Sequence, residues 1–171
     1  ICLDVGAYRG YIAGVMALAG ASRVFVFEPL PENQRAIARL CDLNPQLPIE
    51  LKRIAVSDRD APTWLEGMPD LSMGIEIASS RIDSLIETGE ILPPRIIKID
   101  VEGAELEVLR GAGGTLGSSR PVLFLEAHSA ALEEACRAEL AIHGYRVHRL
   151  GAEAGGEEQT RHLIGRHAHS R

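Results

Sequence analysis

The sequence predicts an α/β fold, a three-layer sandwich in which helices cover both faces of a mostly parallel sheet of six to seven strands, the last one antiparallel. Three observations predict it. Short apolar runs such as Val24-Phe25-Val26-Phe27 and Ile96-Ile97-Lys98-Ile99 alternate with longer amphipathic stretches, the pattern of repeated βα units. Glycine- or acid-bearing turns follow those runs, at the strand ends where open parallel sheets bind ligands. The length of 171 residues holds one such domain with a substantial core and is short for two.

Taken in order, residues 1–5 read as a buried strand. Because the chain opens inside that strand, a natural N-terminus is expected upstream. A helix over residues 10–18 follows and Gly20 ends it; Val24 to Phe27 form the second strand, closed by Glu28-Pro29. Pro31 stands in the first turn of a helix that runs to Leu43, where Asn44-Pro45 stops it. Residues 49–56 are the third strand, Asp58-Arg59-Asp60 a turn, Thr63-Trp64-Leu65 a short edge strand, and residues 81–87 a short helix. Ile96 to Ile99 is the fourth strand, and residues 102–116 a helix with Leu106, Val108, Leu109 and Ala112 on its apolar face. A fifth strand (121–125), a helix (130–143), a sixth strand (145–150), a polar loop (151–159) and a final short antiparallel strand (162–166) complete the chain, all in one domain over residues 1–171.

Composition narrows the function. The hydrophobic fraction of 46% and charged fraction of 25% are those of a globular protein, and the net charge of -6 speaks against a nucleic-acid partner. No apolar run approaches the roughly 20 residues that cross a bilayer, and no secretory signal is visible. Cys2, Cys41 and Cys136 are odd in number and lack metal-type spacing, as expected for reduced thiols of a cytoplasmic protein. A homodimer is left open.

Four motifs fall at strand ends. Asp4-x-Gly6-x-x-x-Gly10 joins the first strand to a helix N-terminus, and its carboxylate suits a cationic amino group better than a pyrophosphate. Glu28 ends the second strand, where an acid can accept hydrogen bonds from the vicinal hydroxyls of a ribose. Ala55-Val56-Ser57-Asp58 follows the third strand, with an apolar wall and a carboxylate for an adenine ring and its exocyclic amine; a plain turn-forming Asp58 is the competing reading. Lys98-Ile99-Asp100-Val101-Glu102-Gly103-Ala104-Glu105 ends the fourth strand with ionisable groups that a central strand carries only at a cost, unless Lys98 pairs with a neighbouring acid and Glu102 caps the helix.

Together these runs, with Phe27-Glu28-Pro29, Pro31-Glu32-Asn33, Leu106 to Ala112 and Pro121 to Glu126, closely resemble the FkbM-type methyltransferase family from about Leu3 to His128. The resemblance implies a Rossmann-like class I methyltransferase fold that uses S-adenosyl-L-methionine and O-methylates sugars, polyketides or similar hydroxylated small molecules. It implies that Asp4, Gly6 and Gly10 hold the methionine end, Glu28 the ribose and Asp58 the adenine side, with Ala7, Pro29, Asn33, Ala55, Ser57 and Asp100 also counted as cofactor-binding. Asp100 and Glu102 would face the transferred methyl.

A hydroxyl is a poor nucleophile unless its proton leaves as the new bond forms, so a general base is expected among Asp100, Glu102, Glu126 and His128. Asp100, Glu102 and Glu126 could also share a divalent ion, but no tight motif demands one and a metal is not favoured. His162, His167 and His169 lack ligand spacing and are expected on a frayed tail. An NAD(P)-dependent oxidoreductase is disfavoured because Tyr8 stands where a pyrophosphate loop needs its second glycine. A nucleic-acid methyltransferase is disfavoured by Ile99-Asp100-Val101-Glu102, which lacks the Pro-Pro-aromatic run of enzymes that stack a flipped base. A non-catalytic nucleoside-binding or scaffold domain remains the alternative.

Overall fold

The computed structural model describes residues 1–65, 74–151 and 161–168. Seven strands form the central sheet: β1 (Cys2–Val5), β2 (Val24–Phe27), β3 (Ile49–Lys52), β8 (Ile96–Ile99), β9 (Val122–Ala127), β10 (Tyr145–Arg149) and β11 (Arg161–His167). Their order is β10-β11-β9-β8-β1-β2-β3. β1 pairs in parallel with both β2 and β8, while β11 runs antiparallel between β9 and β10. The chain therefore builds outward from β1 in one direction through β3, then returns to the other side of β1 with β8. That reversal opens a crevice at the carboxyl ends of β1, β2 and β8.

Strand alternation sends successive side chains to opposite faces, and each face is covered by helices. Leu3, Val5, Phe25, Phe27, Ile97 and Ile99 pack with Leu85 of α3 (Ile82–Glu87), Leu109 of α4 (Glu105–Arg110), Leu116 of α5 (Gly113–Ser118) and Leu140 of α6 (Ala130–Ile142). Cys2, Val24 and Val26 pack on the other face with Ala13 of α1 (Tyr11–Leu18) and Ile37 of α2 (Pro31–Leu43). Cys2 and Cys136 are buried, Cys41 is half-buried, and all three thiols are free. Among the described residues no helix is long and apolar enough to cross a membrane.

Three expectations need correction. Residues 49–56 are not one strand: β3 stops at Lys52, and β4 (Ala55–Val56) leaves the sheet to pair with β7 (Ser79–Ser80). Asp60 fixes that departure by accepting from the Ser80 hydroxyl (2.6 Å), the Ser84 hydroxyl (2.7 Å) and the backbone and side chain of Arg81 (2.9 and 3.0 Å). The short strand expected at Thr63 is present, as half of a hairpin of β5 (Thr63–Leu65) with β6 (Ile75–Ile77).

The helix expected over residues 102–116 starts three residues later and is broken in two. Glu102 and Gly103 are left-handed (φ 54 and 110), so regular helix begins at Glu105. It stops where Gly111 presses on the loop after β4; a Cβ there would lie 2.0 Å from the Ser57 carbonyl oxygen. The second piece, α5, then presents its first N–H groups to Asp83, which accepts from Gly114 and Thr115 at 2.7 and 2.8 Å. His162 and His167 do not fray. Both lie in β11, opposite Glu126 and Tyr145 respectively. His169 and the polar loop beyond Gly151 fall outside the described residues.

Candidate active site

The loop after β1 is built from alternating left-handed positions, Gly6 (φ 74), Tyr8 (φ 53) and Gly10 (φ 82). Gly6 is required by a close approach of the protein to itself. A Cβ at Gly6 would stand 1.8 Å from the Asp100 carbonyl oxygen, so the ends of β1 and β8 could not meet with any other residue there. The Gly6 and Ala7 amides both donate to the Phe27 carbonyl at 3.1 and 3.3 Å, tying the loop to β2 as well.

Asp4 lies wholly buried beneath this loop. The cation it meets is Lys98, its register partner on β8, with Nζ 3.3 Å from Oδ1. Lys98 also donates to the Gly6 carbonyl (2.6 Å) and stands 3.4 Å from Asp100 Oδ2. Neither Asp4 oxygen has a partner in hydrogen-bond geometry among the described residues. Burial pushes the Asp4 carboxyl up from its ordinary range, and the Lys98 charge only partly opposes it.

Glu28 sits at the end of β2, 4% exposed. One carboxylate oxygen accepts from the Tyr8 amide (2.8 Å) and the other from the Leu30 amide (2.9 Å). The carboxylate keeps acceptor capacity beyond these two amides, as a ribose hydroxyl requires. Asn33 on α2 hydrogen-bonds the same carboxylate, and Gln34 beside it donates to the Glu28 and Pro29 carbonyls, both at 2.9 Å. Burial raises the Glu28 carboxyl despite these donors. Ala55 lies in β4 and Ser57 follows it, outside the central sheet. Asp58 accepts from Arg59 Nε (2.9 Å) and the Ser57 hydroxyl (3.3 Å), which lower it, the Arg59 bond most.

The ends of β8 and β9 bring four carboxylates around one imidazole. His128 Nδ1 lies 2.7 Å from Glu105 Oε1, while Nε2 faces Glu102 Oε2 at 3.3 Å, Asp100 Oδ1 at 3.7 Å and Glu126 Oε1 at 4.0 Å. Burial alone would lower the imidazole, but the Glu105 hydrogen bond and the Glu105, Glu102 and Asp100 charges outweigh it and the net shift is upward. His162 approaches the far oxygen of Glu126 at 3.5 Å. Ligand atoms of Asp100, Glu126 and His128 lie within 4.8 Å of one another, a spacing that a cation could bridge.

The structure thus brings Asp4, Gly6, Ala7, Glu28 and Asp100 together at the ends of β1, β2 and β8, with Gly10, Pro29 and Asn33 beside them and Glu102, Glu126 and His128 at the ends of β8 and β9, whereas Ala55, Ser57 and Asp58 belong to the segment that pairs with β7 outside the central sheet. Sequence reasoning gave no site role of their own to Glu105, Gln34 or Asp60. Glu105 carried a readable signal, an acid closing the Lys98 to Glu105 run, but nothing in spacing paired it with His128, which was named separately as a candidate base.

Strand order, the antiparallel penultimate position of β11 and the acid-lined crevice define the class I methyltransferase fold. Residues 4–147 match the methyltransferase FkbM domain, and the chain belongs to that family. Over 135 residues it is 32% identical to the hexuronic acid methyltransferase AglP of Haloferax volcanii, covering 74% of this chain and 55% of that protein. The crystal structure of methyltransferase FkbM from Methylobacillus flagellatus KT superposes with a TM-score of 0.71 at 20% identity, over 97% of this chain and 43% of that one. A Streptococcus pneumoniae protein in complex with S-adenosyl-L-methionine superposes with a TM-score of 0.62 at 17% identity, over 100% of this chain and 67% of its own. The chain thus spans about half the length of AglP.

Proposed function

We propose that this chain is the catalytic domain of an S-adenosylmethionine-dependent O-methyltransferase whose acceptor is a hydroxyl on a sugar, polyketide or similar small metabolite. One observation carries the reading: the β1 loop is held between the Glu28 carboxylate at the end of β2 and the ion pairs of Lys98 with Asp4 and Asp100 at the ends of β1 and β8. Glu28 grips it at the Tyr8 amide, and Lys98, ion-paired to Asp4 and Asp100, grips it at the Gly6 carbonyl. The name of the AglP relative supports a sugar-type acceptor.

The residues fit the cofactor. Asp4 is a buried carboxylate beneath the loop whose charge is met by Lys98, and Glu28 keeps acceptor capacity beyond its two backbone donors. Asp4, Gly6, Ala7 and Gly10 would hold the methionine end, Glu28 with Pro29 and Asn33 the ribose, and Ala55, Ser57 and Asp58 the adenine. When bound, the cofactor supplies an electrophilic methyl on a sulfonium that departs as a neutral thioether. The protein's own tasks are to hold the acceptor oxygen about 3 Å from that methyl and to take its proton. We assign the second task to His128 Nε2, which has Asp100, Glu102 and Glu126 beside it to stabilise the imidazolium formed. Because the imidazole can carry the neutralising charge itself, the cluster is read as handling protons and not as holding a metal.

Calorimetric titration with S-adenosylhomocysteine tests the reading. Wild type binds, and Glu28→Ala binds about 10- to 100-fold more weakly, the loss of two hydrogen bonds to a charged acceptor. No binding by wild type would overturn the methyltransferase reading, and unchanged binding by the variant would overturn the ribose assignment. A methyl-transfer screen over hydroxylated metabolites then identifies the acceptor.

A further inference from the structure

We propose that Glu105 is a positioning residue for methyl transfer: from inside the core it holds the His128 imidazole in the tautomer and orientation that leave Nε2 open to the cleft as proton acceptor. The proposal rests on the O-methyltransferase reading and deepens it.

Glu105 is the first residue of α4, a place where a glutamate commonly points into water and still favours the helix dipole. Here its side chain is fully buried. A buried carboxylate is costly unless bonded, and Glu105 is bonded at one oxygen only. Oε1 accepts from the Gly103 amide at 3.0 Å and meets His128 Nδ1 at 2.7 Å, while Oε2 has no partner among the described residues. Capping does not explain this burial, since Glu102 and Glu107 also stand near the helix start and Glu102 remains 75% exposed. The contact with His128 does explain it.

The chemistry follows from the atoms. An ionised carboxylate has no hydrogen to donate, so the proton of the short contact belongs to Nδ1. Neutral imidazole carries one proton, and Nε2 therefore keeps its lone pair. That lone pair faces the acids at the ends of β8 and β9: Asp100, Glu102 and Glu126. His162 on β11 stands behind Glu126, and Cys136 on α6 lies near Glu105 with its thiol pushed up to about 12 by burial, hence neutral. In the reaction the acceptor O–H bond breaks toward Nε2 as the new O–C bond forms. The C–S bond pair stays on sulfur, and the proton on the imidazolium is later released to water. Glu105 keeps its negative charge throughout and stabilises that imidazolium from the Nδ1 side, as the buried acid of a Ser-His-Asp triad does for its histidine.

Imidazole nitrogen NMR on the ¹⁵N-histidine-labelled chain, bound to S-adenosylhomocysteine, tests the proposal. In wild type above neutral pH, His128 shows a protonated Nδ1 and an unprotonated Nε2. In E105Q the preference for that tautomer weakens and the titration midpoint of His128 moves to lower pH, while S-adenosylhomocysteine affinity stays within about threefold. With tritiated cofactor, and with D-glucuronate and methyl α-D-glucoside as probe acceptors, E105Q lowers kcat about 10- to 1,000-fold with little change in KM, in the range of a misoriented general base. E105D recovers part of that loss, and E105Q added to H128A costs no more than H128A alone, because the two residues act as one unit. An Nε2–H tautomer in wild type, or an E105Q titration unchanged from wild type, would refute the proposal, and the NMR arm needs neither probe to be methylated. Failure of wild type to bind S-adenosylhomocysteine would instead strike the underlying reading.

Discussion

Replacing three glycines by alanine separates two costs that Gly6 combines. Gly20 has φ 94 with nothing within 4 Å of an added Cβ, so Gly20→Ala bears only the left-handed penalty, about 1–2 kcal/mol. Gly111 has φ -70, which any residue adopts, but its Cβ would lie 2.0 Å from the Ser57 carbonyl oxygen. Ordinary contact begins near 3.4 Å, so the loop after β4 must move by more than 1 Å, and overpacking of that kind costs about 1–3 kcal/mol. Gly6 bears both, with φ 74 and a Cβ 1.8 Å from the Asp100 carbonyl oxygen. The sum for Gly6→Ala is about 2–5 kcal/mol, a large share of the roughly 5–15 kcal/mol that holds a domain together. For a chain of this length each kcal/mol lowers Tm by about 2–4 °C, so Gly6→Ala should melt about 4–20 °C below wild type. Thermal and urea unfolding of the three variants measure the ranking. A Gly6→Ala melting point no lower than that of Gly20→Ala would show that the β1 and β8 ends do not meet as described. Because the same carbonyl belongs to Asp100, S-adenosylhomocysteine affinity should fall in Gly6→Ala and hold in Gly20→Ala.

Two further predictions concern charge. Glu133 is buried at 6% exposure and receives Arg149, Arg137 (2.9 Å) and Arg161 (3.3 Å), and the bonds from Arg149, foremost, and Arg137 hold its carboxyl below the usual range. A depressed folded pKa stabilises above the unfolded value, near 4.3, and that stabilisation is lost as pH falls through the folded one. Glu133→Gln should therefore cost about 1–3 kcal/mol in urea unfolding at pH 7, with the gap to wild type closing as the pH drops below about 4; an equal gap at both ends would refute the assignment. Chelation by EDTA should leave methyl transfer within about twofold. A larger loss restored by Mg²⁺ or Mn²⁺ would make Asp100, Glu126 and His128 a metal site and would remove His128 as general base.

How much of this was legible in the sequence depends on whether a feature is local. Val24 to Phe27 is apolar at every position because helices cover both faces of the sheet, so the run identifies itself as a central parallel strand. Glu28 was legible for the same reason, since the first polar residue after such a run must stand at the carboxyl edge. The third strand was misread because Ile49 to Val56 carries enough apolar residues for one strand, and what ends it early is Asp60 binding Ser80 and Ser84 across a large sequence gap. The helix boundary at Glu105 depended on a glutamate, Glu102, adopting a left-handed backbone that its type disfavours. That shift also sets the role of Glu105. Counted from Glu102, it would be a solvated residue of a first turn; counted from the observed start, it is the residue that enters the core. There it meets His128, 23 positions away, only because β8 and β9 pair in register with Ile99 opposite Leu125. The dyad is thus a product of strand register and one strained turn, neither of which spacing alone encodes.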